Sequence, residues 1–291
     1  MNKVSISVAI VTWNRKDELL RAIESVFKQT YLPLEIIIVD NLSDYCVETA
    51  LSNQINNSKI PIKVIRMHEN VGCPIARNLA FENCKGDYIY ALDDDGWLDE
   101  NALEEAINIY HKHKEQRIAI VASIVICPLS GDVLTNKTNG TEQHNIFSAG
   151  AALYSKKILS DIGYFPDYFR QMEESHFAMK AYAKKIKIYR TKNSIMYHDK
   201  SDKGRVKYIE VMNNYLNEIR NIKELLSFHS AFILFIYKSY AHLKSYIKSE
   251  EIKKFPSDFI RGLSILLFYK NKSKSIMTLK EYIKFKKGVL I

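Results

Sequence analysis

The sequence has few cysteines, and their spacing does not indicate a metal or disulfide framework. Among 291 residues there are four, Cys46, Cys73, Cys84 and Cys127, with no Cys-x-x-Cys pair and no tight cluster. Zinc modules and small disulfide-stapled domains depend on such spacing. Both classes are therefore disfavoured, and we expect reduced thiols in a cytosolic protein.

Long hydrophobic runs are also absent. The first residues lack a charged region followed by an apolar run and a small-residue cleavage site, so nothing indicates export. The longest late apolar runs, Ala231–Tyr237 and Leu263–Tyr269, fall short of the roughly 20 residues that span a bilayer. The chain is expected to touch a membrane without crossing it.

Glycine-rich phosphate-binding motifs are missing as well. No GxGxxG sequence follows the first apolar run, and no GKS or GKT P-loop occurs. A dinucleotide oxidoreductase is therefore disfavoured. A nucleotidyltransferase that makes nucleotide sugars would need a glycine-rich, basic loop directly after the first strand, where Thr12 to Arg15 stand instead.

The positive charge is unevenly distributed. The chain is 47% hydrophobic and 26% charged, with a net charge of +9, which is typical of a globular protein with a sizeable core. Residues 229–291 contain 13 Lys and Arg against four Asp and Glu, whereas residues 1–228 contain 29 of each sign. We predict a main domain over 1–228 and a basic helical tail over 229–291. A neutral main domain disfavours the nucleic-acid-binding protein that the overall charge would otherwise suggest.

The order of apolar segments predicts an α/β fold. Val4–Thr12 is a β-branched run typical of a buried parallel strand, and helical spacing from Leu19 to Phe27 follows it. The strand and helix pattern then repeats. Further strands are predicted at 35–39, 62–66, 88–92, 118–127, 147–154 and 186–197, helices at 74–83, 100–113 (N-capped by Asp99) and 173–184, and a hairpin or loop at 128–145.

Polar residues follow these strands where each one ends. In open α/β sheets, ligands bind at the carboxyl ends of the strands. Asp93, Asp94 and Asp95 follow the fourth strand and repel one another unless a cation compensates them. Because alternate side chains of an extended chain point the same way, Asp93 and Asp95 are expected to converge on a divalent cation and Asp94 to point away. A solvated acidic turn is the alternative interpretation.

Four segments together resemble glycosyltransferase family 2. They are Val8–Arg15, Val39–Ser43, Asn70–Asn78 and Ala91–Asp95, in the order and spacing of that family. The resemblance extends over about residues 4–225. It implies a GT-A fold, that is, a Rossmann-like mixed sheet flanked by helices, here with a C-terminal helical extension. It also implies a nucleotide-sugar donor, a Mn²⁺ or Mg²⁺ ion and inversion at the anomeric carbon, with a donor half over about 1–98 and an acceptor half over about 99–228.

The resemblance assigns roles to residues of the donor half. Thr12, Trp13, Asn14 and Arg15 match the loop beside the nucleotide base and ribose. Asp40 matches the carboxylate that accepts a hydrogen bond from a pyrimidine, and a uracil or thymine N3–H is indeed a donor. Arg77 matches an arginine beside the diphosphate. The remaining donor-binding positions that the resemblance implies are Asn70, Gly72, Asp93 and Asp94, with Asp95 as a metal ligand.

In the acceptor half, the segment Phe169–Phe177 resembles the one that supplies the catalytic base. Glu174 is the favoured base and Glu173 the alternative, because the family more often has Asp at the second acidic position. Gly150 matches a small-residue segment where the sugar or acceptor approaches the backbone, and His198 matches a histidine that completes the metal site. Each assignment has an alternative: Glu173 and Glu174 would only stabilise the start of a helix through its macrodipole, Gly150 would form an ordinary turn, and His198 would be structural.

The predicted function is transfer of a sugar from a UDP- or dTDP-sugar to a glycan or lipid-linked acceptor in cell-surface polysaccharide synthesis. The tail interleaves apolar residues with lysines, which is typical of helices lying on an anionic membrane surface. A cytoplasmic, membrane-peripheral location follows from that interpretation, and a tail packed as a helical subdomain is its alternative. A non-catalytic nucleotide-sugar or glycan-binding relative, or a nucleic-acid-binding protein, is the alternative function.

Overall fold

The computed structural model describes residues 4–135, 140–198, 206–270 and 275–291, and its centre is a mixed nine-stranded sheet. The strand order is β3-β2-β1-β4-β8-β6-β9-β5, with β7 paired to β9. The strands are β1 Ile6–Thr12, β2 Glu35–Asp40, β3 Ile62–Arg66, β4 Tyr88–Asp93, β5 Gly96–Leu98, β6 Ile118–Ile126, β7 Thr141–Gln143, β8 Ala151–Ser155 and β9 Lys187–His198. The predicted α/β class is confirmed.

Helices cover both faces of this sheet. They are α1 Lys16–Phe27, α2 Val47–Ala50, α3 Ser52–Asn57, α4 Cys73–Asn83, α5 Ala102–Lys112, α6 Lys156–Ile162, α7 Glu173–Ala183, α8 Lys207–Leu225, α9 Phe228–Lys248, α10 Phe255–Phe268 and α11 Leu279–Lys286. Val8 and Ile10 of β1 pack on the side of α1 and α5, whereas Ala9 faces the core that α4 and α7 complete. Because β1 is buried on both faces, its sequence is a continuous run of mostly apolar residues.

Parallel pairing places several strand ends at one edge. β1 runs parallel to both β2 and β4, and Thr12 is in register with Asp40 while Val11 is in register with Asp93. β8 is antiparallel to β4 and β6. The polar residues that end β1, β2 and β4 therefore share one edge of the sheet, as the sequence predicts.

Two local predictions need correction. Asp99 does not cap α5 with its side chain: the helix begins at Ala102, and the Asp99 carboxylate accepts the N–H of Asn101 at 3.3 Å. The predicted strand at 147–154 is shorter, because the chain enters β8 only at Ala151. The predicted hairpin or loop at 128–145 begins as a hairpin, because Ile126 forms an antiparallel bridge with Val133 and the Cys127 N–H donates to the Asp132 carbonyl at 2.8 Å. Further along, β7 pairs with β9, and residues 136–139 lie outside the described ranges.

The C-terminal helices pack on the rest of the chain through one face. Leu234 and Phe235 of α9 and Leu266 of α10 belong to the same buried core as Ile219 of α8. The buried Glu218 carboxylate joins three elements, since it contacts Lys238 at 2.7 Å, His242 at 2.9 Å and Lys286 at 3.1 Å. Among the described residues, no helix is both long enough and apolar enough to span a membrane.

Candidate active site

Asp93, Asp94 and Asp95, which we call the acidic triplet, lie at the carboxyl edge of the sheet, and an arginine side chain contacts each of their carboxylates. Arg77 contacts Asp93 at 2.9 Å, and Arg15 contacts both Asp94 at 2.8 Å and Asp95 at 2.7 Å. His198, at the end of β9, brings its Nε2 within 3.0 Å of Asp95 Oδ1. Three adjacent negative charges are tolerated here because the fold surrounds them with positive ones.

This arrangement corrects the expected alternation. Asp93 does not share its partner with Asp95, and Asp94 does not point away, because Asp94 and Asp95 contact the same guanidinium. The reason is local: β4 ends at Asp93, and the next two residues form a turn. Side chains alternate with a period of two only in extended chain.

Burial and charge move the pKa values of these carboxyl groups in opposite directions. Burial raises the pKa of Asp94 to about 6, although Arg15 opposes the shift. Burial would also raise the pKa of Asp95, but the hydrogen bond and charge of His198, with the charge of Arg15, outweigh it and lower the pKa. The same hydrogen bond raises the pKa of His198. The hydrogen bond between Asp95 and His198 therefore favours the charged form of each group.

The loop after β1 divides its four residues between different roles. Thr12 is buried and Trp13 is 47% exposed. Asn14 has a φ of 55° and connects two strand ends, because its side chain donates to Asp44 at 2.9 Å and its backbone N–H donates to Ser43 Oγ at 3.0 Å. Arg15 faces the acidic triplet, whereas the resemblance placed it beside the base and ribose.

Asp40 is almost fully buried at the end of β2. Its Oδ1 accepts the backbone N–H of Ser43 at 2.7 Å, and its Oδ2 accepts a hydrogen bond from Arg66 at 2.7 Å. Arg66 ends β3 in direct register with Asp40, a pairing that no motif in the sequence indicates. Its guanidinium also donates to the carbonyl groups of Ser43 and Tyr45, so it fixes the whole loop after β2.

Asn70 and Gly72 shape the loop before α4. The Asn70 side chain accepts hydrogen bonds from the Asn41 amide at 2.8 Å and from the Gly72 N–H at 3.1 Å. Gly72 has a φ of +83°, and an added Cβ would lie 2.0 Å from the carbonyl oxygen of Phe169. The next residue, Cys73, donates its N–H to that same oxygen at 3.1 Å. The loop therefore joins the donor half to the segment before α7.

Gly150 makes room for a carboxylate. An added Cβ would lie 1.7 Å from Asp93 Oδ1, and the Asp93 N–H donates to the Gly150 carbonyl at 2.9 Å. The resemblance assigned this position to approach of a sugar or acceptor. In the structure, the group that needs the missing side chain is Asp93, which Gly150 holds beside Arg77.

The two glutamates that begin α7 differ in their surroundings. Glu173 is 6% exposed, and no described residue forms a hydrogen bond with its Oε2. Burial, reinforced by the charge of Glu174, raises its pKa to about 8. Glu174 accepts the Ala149 N–H at 3.4 Å, and burial raises its pKa as well. It borders a cavity of about 300 Å³, whose other lining residues are Ile146, Phe147, Gln171, Met172, Ser175 and Asn214.

Comparisons with known proteins agree on the fold. The structure of GalNAc-T7 with UDP, GalNAc and Mn²⁺ superposes with a TM-score of 0.67 at 15% identity, over 90% of this chain and 58% of that one. Staphylococcus aureus TarS with UDP-GlcNAc gives 0.63 at 18% identity, over 90% and 80%. The mannosyltransferase PcManGT from Pyrobaculum calidifontis with GDP-Man and Mn²⁺ gives 0.59 at 12% identity, over 91% and 74%. The predicted GT-A fold with a helical C-terminal region is confirmed.

Proteins with similar sequences, and a family model, identify the family. An uncharacterized glycosyltransferase of Bacillus subtilis, YwdF, is 28% identical over 210 residues, which cover 69% of this chain and 76% of YwdF. WcaA of Escherichia coli, a putative colanic acid biosynthesis glycosyl transferase, is 34% identical over 118 residues, 40% of each chain. The family model of glycosyl transferase family 2 matches residues 7–177, from β1 through the first turn of α7, and thus takes in the acidic triplet and both glutamates. Since that match covers more than half of the chain, the protein belongs to glycosyl transferase family 2 and is a glycosyltransferase.

Proposed function

We propose that this glycosyltransferase moves a sugar, with inversion, from a UDP- or dTDP-sugar to a glycan or lipid-linked acceptor in cell-surface polysaccharide synthesis. The observation that supports it best is a chain of contacts from Glu174 to Arg77: Glu174 accepts the Ala149 N–H at 3.4 Å, the adjacent Gly150 carbonyl accepts the Asp93 N–H at 2.9 Å, and Asp93 contacts Arg77 at 2.9 Å. A candidate base therefore lies close to the candidate diphosphate site. The UDP complexes of TarS and GalNAc-T7 support a UDP donor, and the name of WcaA supports polysaccharide synthesis.

A divalent cation, Mn²⁺ or Mg²⁺, is part of the proposal. Asp95 and His198, 3.0 Å apart, would hold it with one oxygen and one nitrogen donor. Among the described residues, no three His, Cys, Asp or Glu side chains converge on one point, so diphosphate oxygens and water would complete the shell. The cation would help to neutralise the charge of the departing diphosphate. The Mn²⁺ complexes of GalNAc-T7 and PcManGT support this choice of ion.

The chain's own residues would then divide the work of transfer. Arg77, whose side chain is 6% exposed and contacts Asp93, would bind phosphate oxygens through its guanidinium. Glu174, at the cavity wall, would remove the proton of the acceptor hydroxyl. Glu173 would hold a proton at neutral pH, because its pKa is about 8 and a second adjacent negative charge is unfavourable. The two adjacent glutamates thus titrate as a pair, and burial raises the pKa of each.

The test of this assignment compares two isosteric variants. Glu174→Gln should leave donor affinity nearly unchanged and lower turnover by about 10²–10⁴-fold, the usual loss when a general base is removed. Glu173→Gln is the matched control and should cost much less, since a protonated carboxyl resembles an amide. Calorimetric titration with UDP and Mn²⁺ and steady-state transfer assays would measure both. A larger defect in Glu173→Gln would move the base to that residue, and full activity in both variants would refute the assignment.

Contact with a membrane surface is the second part of the proposal. The outward face of α9 exposes Phe232, Ile233, Ile236, Tyr237, Tyr240 and Ile247, which we call the apolar stripe. Those from Phe232 to Tyr240 recur at intervals of three and four residues and so share one face of the helix, and Ile247 lies on the same face beyond the exposed Lys244. Lys248, Lys253, Lys254 and Lys270, all exposed, lie beyond it in the chain. Apolar residues accompanied by lysines suit the headgroup region of an anionic leaflet.

Surface substitutions test this contact without disturbing the core. Ile233, Ile236 and Tyr240 are at least 55% exposed, so replacing all three with Ser should release the protein from anionic vesicles in a cosedimentation assay. Leu129→Ser is the control, because Leu129 is 90% exposed but lies outside the stripe. Binding of the triple variant equal to that of the wild type would refute the role of the stripe. A change of mass in light scattering without a change in vesicle binding would make the stripe a protein interface.

A further inference from the structure

Arg15 stands between two buried carboxylates. Its Nη1 lies 2.8 Å from Asp94 Oδ1 and 2.7 Å from Asp95 Oδ2. The carboxylate side chains are only 7% and 9% exposed, whereas the Arg15 side chain is 24% exposed. The other oxygen of Asp95 contacts His198 at 3.0 Å. The two oxygens of Asp95 are therefore divided between a guanidinium and an imidazole.

We propose that Arg15, which contacts Asp94 and Asp95, competes with the divalent cation for Asp95, and that the diphosphate of the nucleotide decides the competition by taking over the guanidinium. This inference rests on the proposed use of a nucleotide diphosphate and a divalent cation. It gives Arg15 a positioning role: the residue lowers the affinity of the protein for the cation alone and couples cation binding to nucleotide binding.

Electrostatics requires the competition. The guanidinium already compensates Asp94 and Asp95, and a divalent cation brought to the same oxygens would repel it at short range. The repulsion is strong because the carboxylates are buried, where charges are poorly screened. A guanidinium fork also binds phosphate oxygens in two-pronged fashion, so a diphosphate offers Arg15 a replacement partner.

The local structure allows the side chain to move while the backbone stays fixed. Arg15 directly precedes α1, and its neighbour Asn14 is held by hydrogen bonds to Ser43 at 3.0 Å and to Asp44 at 2.9 Å. The long Arg15 side chain is attached to this fixed point and is partly exposed. Moving it therefore breaks two ion pairs and leaves the strand ends in place.

Direct measurement of Mn²⁺ binding tests the proposal without any transfer reaction. Calorimetry would titrate Mn²⁺ into wild type, Arg15→Gln and Lys16→Gln, each with and without saturating UDP. Lys16→Gln is the matched control, since it removes the same charge one residue further along at an exposed position. Arg15→Gln should bind Mn²⁺ alone at least about tenfold more tightly than the wild type, which corresponds to about 1.4 kcal/mol. Lys16→Gln should match the wild type.

The coupling between ligands provides the second readout. UDP should tighten Mn²⁺ binding to the wild type and Mn²⁺ should tighten UDP binding by the same factor, because such coupling is reciprocal. In Arg15→Gln this factor should fall towards one. Should that variant unfold, Arg15→Lys replaces it: an ammonium is a point charge without the planar fork, so Mn²⁺ alone should bind roughly threefold more tightly.

The possible results separate this inference from the proposed function. Mn²⁺ binding to Arg15→Gln that is no tighter than to the wild type, or tighter binding in Lys16→Gln to the same degree, overturns the competition. If the wild type binds neither UDP nor Mn²⁺ in the presence of UDP, the proposed function itself fails. Tighter Mn²⁺ binding confined to Arg15→Gln, with reduced coupling to UDP, supports the role of Arg15.

Discussion

Replacing Gly72 with Ala should destabilise the protein through a contact between its two halves. Gly72 precedes α4 with φ 83° and ψ 163°, a region that is essentially restricted to glycine. The added Cβ would lie 2.0 Å from the carbonyl oxygen of Phe169 and 2.6 Å from its carbonyl carbon. These atoms belong to the backbone, so a side-chain rotation cannot relieve the overlap.

The expected magnitude combines two costs. Holding a residue other than glycine in this backbone region costs about 1–3 kcal/mol. Moving Phe169 would also break the hydrogen bond from the Cys73 N–H, 3.1 Å long, at a cost of about 1 kcal/mol. We therefore expect the free energy of unfolding to fall by about 3 kcal/mol. Gly131→Ala is the control: its φ is +70°, but an added Cβ meets nothing within 4 Å, so only the backbone cost of about 1–2 kcal/mol applies.

Urea unfolding followed by tryptophan fluorescence would compare the two variants, and UDP titration would be done where both are folded. Equal destabilisation in Gly72→Ala and Gly131→Ala would refute the contact with Phe169 as the reason for this glycine. Wild-type stability combined with lost UDP binding would show instead that Gly72 serves the donor directly, as the resemblance implies.

Three further predictions concern charge and packing. Burial raises the pKa of Glu173 to about 8 in the native state, whereas the unfolded state releases this proton near pH 4.5. The free energy of unfolding should therefore fall as pH rises between these values. Melting temperatures measured from pH 5 to 9 should show this fall in the wild type and a smaller fall in Glu173→Gln. Burial opposes ionisation of Glu218, but His242, Lys286 and Lys238 outweigh it and lower its pKa, so its contribution is present above about pH 4.5 and lost on acidification. Glu218→Gln should lower the free energy of unfolding by about 3 kcal/mol at pH 7. The control Asp161→Asn, which removes the exposed ion pair with Arg117, should lower it by less than about 1 kcal/mol. Equal losses in urea unfolding would contradict the role of burial. Gly150→Ala, whose Cβ would overlap Asp93, should separate that carboxylate from Arg77 and weaken UDP and Mn²⁺ binding at least about tenfold, and calorimetry showing unchanged affinity would contradict this.

The order of apolar and polar residues along the chain is enough to predict most of the longer strands and helices and the edge of the sheet where the acidic triplet lies. The run Val4–Thr12 and the acidic ending of Tyr88–Asp93 predict parallel strands with polar residues at their carboxyl ends, and the structure places them so. The prediction succeeds because a buried strand appears as a run of consecutive apolar residues, and because neighbouring parallel strands end at a common edge of the sheet.

Which side chains contact one another depends instead on how the separate elements pack. Arg15 and Asp94 are 79 positions apart and Arg66 and Asp40 are 26 apart, so no periodicity within one segment relates them. The roles of Gly72 and Gly150 depend likewise on distant groups, Phe169 and Asp93. Chain order predicts neighbours along a strand or helix, whereas ion pairs and close backbone approaches depend on how separate elements are positioned in space. The fold therefore determines which positively charged side chain compensates each carboxylate.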